Sequence, residues 1–373
     1  MIAPSASPME GTVSTPDLPW AEAREDGSSV ILEDRSASQL HSKGYYGVFG
    51  PRGSLTLNRT ETLYLVEVGR LRVRSAPEGK ELSFREMLHT AEEAESGFEI
   101  PYLVYRDLRQ RGYVVKSGIP GIDYGVLPRG GTYPSTPSLY WVKAISERSP
   151  FRLPDLVALL DQAQGARRKV LLGVVDEESD LTYYLARFVQ PKGRHMAASG
   201  EREIEGMLLA DRVTVFDKGA VELLGTTEAY GSRIGERLEL SLVEAAYLVG
   251  EGKLSLVDGR TLRPLSRKTF LTRASAIEKG LENLQHTYSD LRRNGLVPKT
   301  GFKYGAHFRA YEAEPSATHA KYLVHSVPPS FASSWPELSR AIRLAHGVKK
   351  SFLLSWRDEE DSQRYLNLQR IRP

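Results

Sequence analysis

The sequence repeats itself at one fixed offset, and that repeat constrains the fold more than any other feature. Tyr64, Leu65, Val66, Gly69 and Leu71 recur 183 residues later as Tyr247, Leu248, Val249, Gly252 and Leu254. At the same offset YRDLRQRGYVVKSG, from Tyr105 to Gly118, returns as YSDLRRNGLVPKTG, from Tyr288 to Gly301. A period this long is not that of a solenoid, whose repeats are 20–50 residues. The chain therefore duplicates a whole folding unit, and each copy divides again into two parts.

The first part mixes short strand-like runs, such as 29–32 and 213–216, with amphipathic helix. In LSFREMLHTAEEAE, Leu82, Phe84, Met87, Leu88 and Ala91 fall on one helical face. The second part opens with a helix, PYLVYRDLRQRG, that stops at Gly112, a residue suited to the left-handed C′ position. The strand-like runs YVVKSG, IDYGVL and LYWVKAI follow, then a helix over RLPDLVALLDQAQG, then the strands KVLLGVV and LTYYLARF. The second copy repeats this order, with capping-box spacing at Ser334 to Glu337 and a helix closing at Gly347. The fold class expected is α+β to α/β in tandem duplication, each unit a small α+β subdomain followed by a mixed-sheet domain. The boundaries expected are a loose tail over 1–28, subdomain 29–98, mixed-sheet domain 99–189, linker 190–210, subdomain 211–284 and mixed-sheet domain 285–373.

Composition removes several classes of chemistry. There is no cysteine, which excludes disulfides, thiolate metal sites and cysteine nucleophiles. No run approaches the ~18 apolar residues that a membrane helix needs. The N-terminal twenty residues lack the basic and apolar regions of a secretory signal, so a cytoplasmic protein is expected. Net charge is only +3, but residues 285–373 hold 14 Lys/Arg against 8 Asp/Glu. Residues 101–188 hold 12 against 9, and basic charge gathered in two segments suggests a polyanionic partner.

The two copies differ most where reactive side chains stand. In the second copy the run GAHFRAY ends at Tyr311, a polar loop leads to His319, and Lys350 opens the strand after the helix. Aligned with small gaps, the first copy has Leu127 opposite Tyr311, Pro137 opposite His319 and Lys169 opposite Lys350. A need of the fold alone would act on both copies. Loss of the proton-handling groups from one copy, with its apolar scaffold kept, is the pattern of one active and one structural unit.

These segments resemble the archaeal tRNA-splicing endonucleases. The resemblance rests on YSDLRRNGLVPKTGFKYGAHFRAY, THAKYLVH and RAIRLAHGVKK in the second copy and on YLVYRDLRQRGYVVKSG in the first. Two fused units resemble the homodimeric branch of that family. The resemblance implies a restriction-endonuclease-like nuclease domain in each copy, degenerate in the first and catalytic in the second. It implies excision of introns from precursor tRNA at bulge–helix–bulge sites, giving 2′,3′-cyclic phosphate and 5′-hydroxyl ends without metal or cofactor.

It further implies Tyr311 as general base, His319 as general acid and Lys350 as the cation beside the phosphate. Histidine titrates near neutrality and suits the acid role; a phenol is a poor base at pH 7 unless a cation lies near, and Tyr311 could instead only orient the 2′-OH. Arg343 and an arginine near the chain end, Arg370 or else Arg364, are implied to clamp a bulged base. Arg370 stands opposite Arg187 of the first copy in this alignment. The acidic loop Asp176, Glu177, Glu178 and Asp180 is implied to dock on the partner chain, although the second copy has its own acidic run at 358–361. Two other readings stay open: a metal-dependent nuclease, for which Asp123 and Lys143 are the available residues, and a non-catalytic RNA-binding subunit.

Overall fold

The computed structural model describes residues 18–76, 78–195 and 203–373. Contacts among these residues divide them into two compact units, those within 18–117 with 126–137, and those within 118–125 and 138–373.

The first unit is built on a six-stranded sheet in the order Val48–Phe49, Leu55–Leu57, Ser29–Ile31, Trp20–Ala23, Arg72–Arg74, Glu81–Leu82. Trp20–Ala23 runs parallel to Arg72–Arg74, and the other neighbours are antiparallel. Helix Arg59–Glu67 starts in a capping box on Asn58 and Glu61, and helix Phe84–Ala94 in one on Ser83 and Glu86. One boundary moves here. The expected tail already contains a strand by Trp20, because Ala21 is fully buried and the Arg72 guanidinium lies 4.2 Å from the Trp20 ring; residues 1–17 lie outside the described residues. Helix Glu99–Gln110, the expected opening of the mixed-sheet domain, packs within this unit. Its apolar face carries Tyr102, Leu103, Tyr105 and Leu108 inward. Tyr105 packs edge-on against Tyr64, Tyr102 donates a hydrogen bond to Glu67, and Arg109 donates to the Gly44 carbonyl.

The second unit holds a subdomain of the same design. Its sheet runs Ser232–Ile234, Arg237–Ser241, Arg212–Val215, Ile204–Leu208, Leu254–Asp258, Pro264–Leu265, again with one parallel pair, Ile204–Leu208 beside Leu254–Asp258. The expected linker therefore ends at 203. Its start is also ordered: Gly193, Arg194 and His195 donate backbone hydrogen bonds to Asn294, Glu312 and Gly295. A Cβ on Gly193 would sit 2.0 Å from the Gly295 carbonyl oxygen, so this approach requires glycine. Residues 196–202 lie outside the described residues.

The remainder of this unit is a mixed sheet. Eight strands follow in the order Val297–Thr300, Phe308–Tyr311, Tyr322–Ser326, Ser351–Arg357, Gln363–Ile371, Leu181–Phe188, Lys169–Val175, Tyr140–Ser146. In each copy one parallel pair flanks an antiparallel hairpin. Helices Leu153–Gly165 and Trp335–Gly347 cover one face, where Leu156, Leu160, Leu338 and Ile342 form a core with Leu172, Leu354 and Leu366. Helix Leu281–Arg293 covers part of the other, through Leu284, Tyr288 and Leu291.

The two copies meet at the centre of this sheet. Leu181–Phe188 and Gln363–Ile371 pair antiparallel, with Ala186 opposite Leu368. Ala186 also pairs with Val170, and Leu368 with Phe352, so the two hold the same place in their copies. An antiparallel pair of equivalent residues lies on a local twofold axis.

Candidate catalytic site

Alternation along Phe308–Tyr311 sets the direction of the tyrosine. Phe308 and Ala310 enter the core under helix Leu281–Arg293, so Arg309 and Tyr311 turn to the opposite face. Leu323, which pairs with Arg309, lies on that face with Phe352 and helix Trp335–Gly347. Tyr311 is 7% exposed and packs with Val297, Ala229 and Ala320. The Arg309 guanidinium lies 5.7 Å from its ring, and the Arg309 Nε is buried without a partner.

His319 is exposed and immediately precedes Ala320, which touches the tyrosine cluster. The loop before it is tied to the Glu314 carbonyl, which accepts from the amides of Ala317 and Thr318 and from the Thr318 hydroxyl. Lys350 follows the helix Trp335–Gly347. Lys349 takes a left-handed conformation, φ 54°, which turns the chain into the next strand. The Lys350 amide donates to the Ala345 carbonyl at 2.8 Å, its Nζ donates to the Val348 carbonyl at 3.3 Å, and Nζ lies 5.5 Å from the Tyr304 ring. Counting back from Phe352 puts Lys350 on the same face as Tyr311.

Three neighbouring strand ends bring these positions to one margin of the sheet. The Lys321 amide donates to Ala310 at 3.0 Å, and the Ser351 amide donates to Lys321 at 2.9 Å. Among the described residues no hydrogen bond joins the three side chains to one another. Tyr311 is held by packing and the Lys350 ammonium by the Val348 carbonyl, while His319 stands exposed.

The first copy repeats the frame with other groups. Leu127 donates its amide to Val114, the place of the Val297–Tyr311 pair, so Leu127 opposite Tyr311 agrees with the structure. The Lys169 assignment does not. Lys169 pairs with Tyr140 as Ser351 pairs with Tyr322. Arg168 donates its amide to Ala163 at 2.8 Å as Lys350 does to Ala345, and Arg167 has the left-handed turn of Lys349, φ 56°. The counterpart of Lys350 is therefore Arg168. A cation stands in both copies, and what the first copy lacks is the phenol and the imidazole. The same shift applies further on: with Ala186 equivalent to Leu368, Phe188 and not Arg187 matches Arg370.

A second pair of differences was invisible as sequence. Asp123 accepts from the Ala144 amide at 2.7 Å and pairs with Lys143 at 3.2 Å. In the second copy His307 accepts from the Ser326 amide at 3.0 Å, and its ring stacks on His325 with centroids 4.4 Å apart. The pKa of His307 is pushed down to about 4, mainly by loss of hydration and also by His325; that of His325 falls through burial. His307 keeps an exposed edge, so water tempers the effect. The Asp123 carboxylate is thus committed to a structural bond.

Arg343 is exposed on helix Trp335–Gly347. With Arg340, Trp335, Tyr184, Glu147 and Asp176 it lines a cavity of about 440 Å3. Arg370 is exposed, and its ladder partner is Tyr184. Arg364 is held instead by Asp161, at 2.8 Å, and lies 4.1 Å from the Phe188 ring. In the acidic loop the Asp176 carboxylate accepts from the amides of Glu178 and Asp180, Glu177 pairs with Arg148 at 2.9 Å, and Glu178 and Asp180 are exposed.

Comparison with known proteins meets this geometry. The tRNA intron endonuclease catalytic C-terminal domain matches residues 98–183 and 282–365, and the N-terminal domain of the same family matches 21–88 and 204–271. The chain belongs to the tRNA intron endonuclease family. It is 37% identical to a tRNA-splicing endonuclease of Methanococcoides burtonii over 84% of this chain and 89% of that protein. With one of Methanosarcina acetivorans it shares 34% over 93% and 98%. A Thermococcus onnurineus tRNA-splicing endonuclease is 35% identical over 45% of this chain but 96% of its own length. That member of the family is about one of the two copies long. Among the described residues, no helix is long and apolar enough to cross a membrane.

Proposed function

We propose that this chain excises introns from precursor tRNA, cutting bulge–helix–bulge RNA without a metal ion. The observation that carries the reading is the contrast at matched strand ends: Tyr311, His319 and Lys350 in one copy, Leu127, Pro137 and Arg168 in the other. RNA supplies its own nucleophile. Tyr311 takes the proton of the 2′-OH, or orients it, as O2′ attacks phosphorus. The P–O5′ bond breaks, and His319 donates a proton to O5′. Lys350 offsets the charge that builds on the phosphoryl oxygens. The products are a 2′,3′-cyclic phosphate and a 5′-hydroxyl. Arg343 and Arg370 hold a bulged base by planar stacking. Two chains supply the two sites that two cuts require, with Glu178 and Asp180 at the loop that bridges them.

The test is purified protein with an intron-containing precursor tRNA in excess EDTA. Fragments of intron and half-molecule length with cyclic phosphate ends support the reading. Cleavage that needs added metal, or leaves 3′-hydroxyl ends, overturns it.

A further inference from the structure

We propose that the Phe302 ring is a stacking platform for an unpaired base of the RNA, beside the cleaved linkage and apart from the base held by Arg343. This rests on the reading above that the substrate is RNA. Phe302 is 86% exposed, although it lies in a tight, well-bonded turn. The turn Phe302–Tyr304 closes through amides donating to Gly301 and Phe302, and the Gly301 amide donates to His307 at 3.0 Å. The exposure is therefore a property of a bonded backbone, which presents the ring to solvent and spares a bound base the cost of ordering the turn.

The turn borders the candidate site. Its third residue, Tyr304, packs on the helix-covered core and carries Lys350 Nζ 5.5 Å from its ring. Lys303 is exposed between the two aromatics. Phe302 also stands on the rim of a cavity of about 530 Å3, with Lys299, His307 and Arg309. An aromatic face flanked by cations, next to a site for a phosphodiester, has the composition of a single-stranded nucleic-acid surface.

The first copy supplies the control. Its turn has Ile119 and Pro120 where the second has Phe302 and Lys303. Ile119 is half-buried against the core, and its Cδ1 would lie 2.9 Å from a Cβ on Gly125. The same scaffold thus folds with the residue tucked in and Pro120 in place of Lys303. The copy without the phenol and the imidazole also lacks the exposed ring.

The experiment uses the full chain and a bulged RNA with a 2′-deoxy nucleotide at the cleavage position, carrying 2-aminopurine at one bulge position at a time. Wild-type protein should quench one position strongly. Phe302→Ala should abolish that quench and weaken binding about 5- to 150-fold, the worth of one base–aromatic stack. Phe302→Trp should restore both, and Phe302→Leu neither. Lys303→Ala should lower the salt slope and leave the quench. Thermal unfolding of Phe302→Ala should match wild type, since the ring is exposed. Wild-type affinity and quench in Phe302→Ala overturn the proposal. So does an affinity loss equal for bulged and fully paired RNA, or a loss of dimer in place of RNA binding. Wild-type protein that binds neither bulged nor unstructured RNA removes the RNA reading itself, an outcome distinct from a loss confined to the Phe302 variants.

Discussion

The two mixed-sheet halves share a ladder, a covering helix and a left-handed turn after it, and they differ in the side chains set on that frame. Where the second copy has a phenol and an imidazole, the first has Leu127 and Pro137. Where the second stacks His307 on His325, the first has an ion pair, Lys143 with Asp123. Where the second exposes Phe302, the first tucks in Ile119. The cation before the strand is common to both. The comparison teaches that this cation belongs equally to the scaffold, whereas the groups able to move protons do not.

The largest test of that contrast is His319→Ala. Single-turnover cleavage should fall by about two to four orders of magnitude, the usual worth of a positioned acid, with RNA affinity kept. Pro137→Ala should change neither; equal losses from the two variants would erase the distinction between the copies. Next comes Arg343→Ala, which should weaken cleavage of bulged RNA by about 5- to 150-fold if a planar stack is lost. Arg343→Lys should not restore it, because an ammonium has no plane to stack; full recovery would reduce the residue to a charge.

A smaller effect is expected at the acidic loop. Asp176 caps the turn, so its replacement would unfold the loop as well as change its charge. Glu178→Lys with Asp180→Lys is the cleaner pair. It should weaken dimers and cleavage together, and added salt should weaken wild-type dimers in the same direction. Light scattering that shows a monomer excising introns at full rate would remove the dimer.

The smallest effect concerns pH. His307 has a depressed pKa in the folded chain, so the unfolded chain binds the extra proton first. Its contribution is complete above about 6.5 and is lost as pH falls toward about 4. His307→Gln should flatten the fall of the unfolding midpoint across that window. An unchanged pH profile would mean that the stacked pair is solvated well enough to titrate freely.

Much of the fold was legible because its strands are self-announcing. KVLLGVV and LTYYLARF are apolar runs bounded by polar turns, and they form strands over the same residues. Trp20–Ala23 and Ile204–Leu208 were not legible. Each is short, carries charged residues and is defined by a partner some fifty residues on. The one-residue errors at Lys169 and Arg187 have a common origin. Matching by identity pulls lysine to lysine and arginine to arginine, while the structure aligns helix ends and ladder bonds. Tyr311, His319 and Lys350 were visible from the contrast between copies. The histidine stack was not, because its members, one just before strand Phe308–Tyr311 and one within Tyr322–Ser326, are 18 residues apart in sequence.

The pairing of Ala186 with Leu368 has a consequence for how the chain is made. Leu181–Phe188 is complete when its neighbour on the far side, Gln363–Ile371, is still unsynthesised. At 5–20 residues per second, the 182 residues that separate Ala186 from Leu368 take about 10–40 s to emerge. Throughout that interval the first half presents a strand of unbonded amides and carbonyls flanked by Tyr184 and Phe188, the kind of surface on which nascent chains stick to one another. A contact of such long sequence separation is also slow to close. Holding both halves in one polypeptide removes the search for a second molecule to complete this sheet, and it leaves each growing chain with an open flank until its own second half arrives.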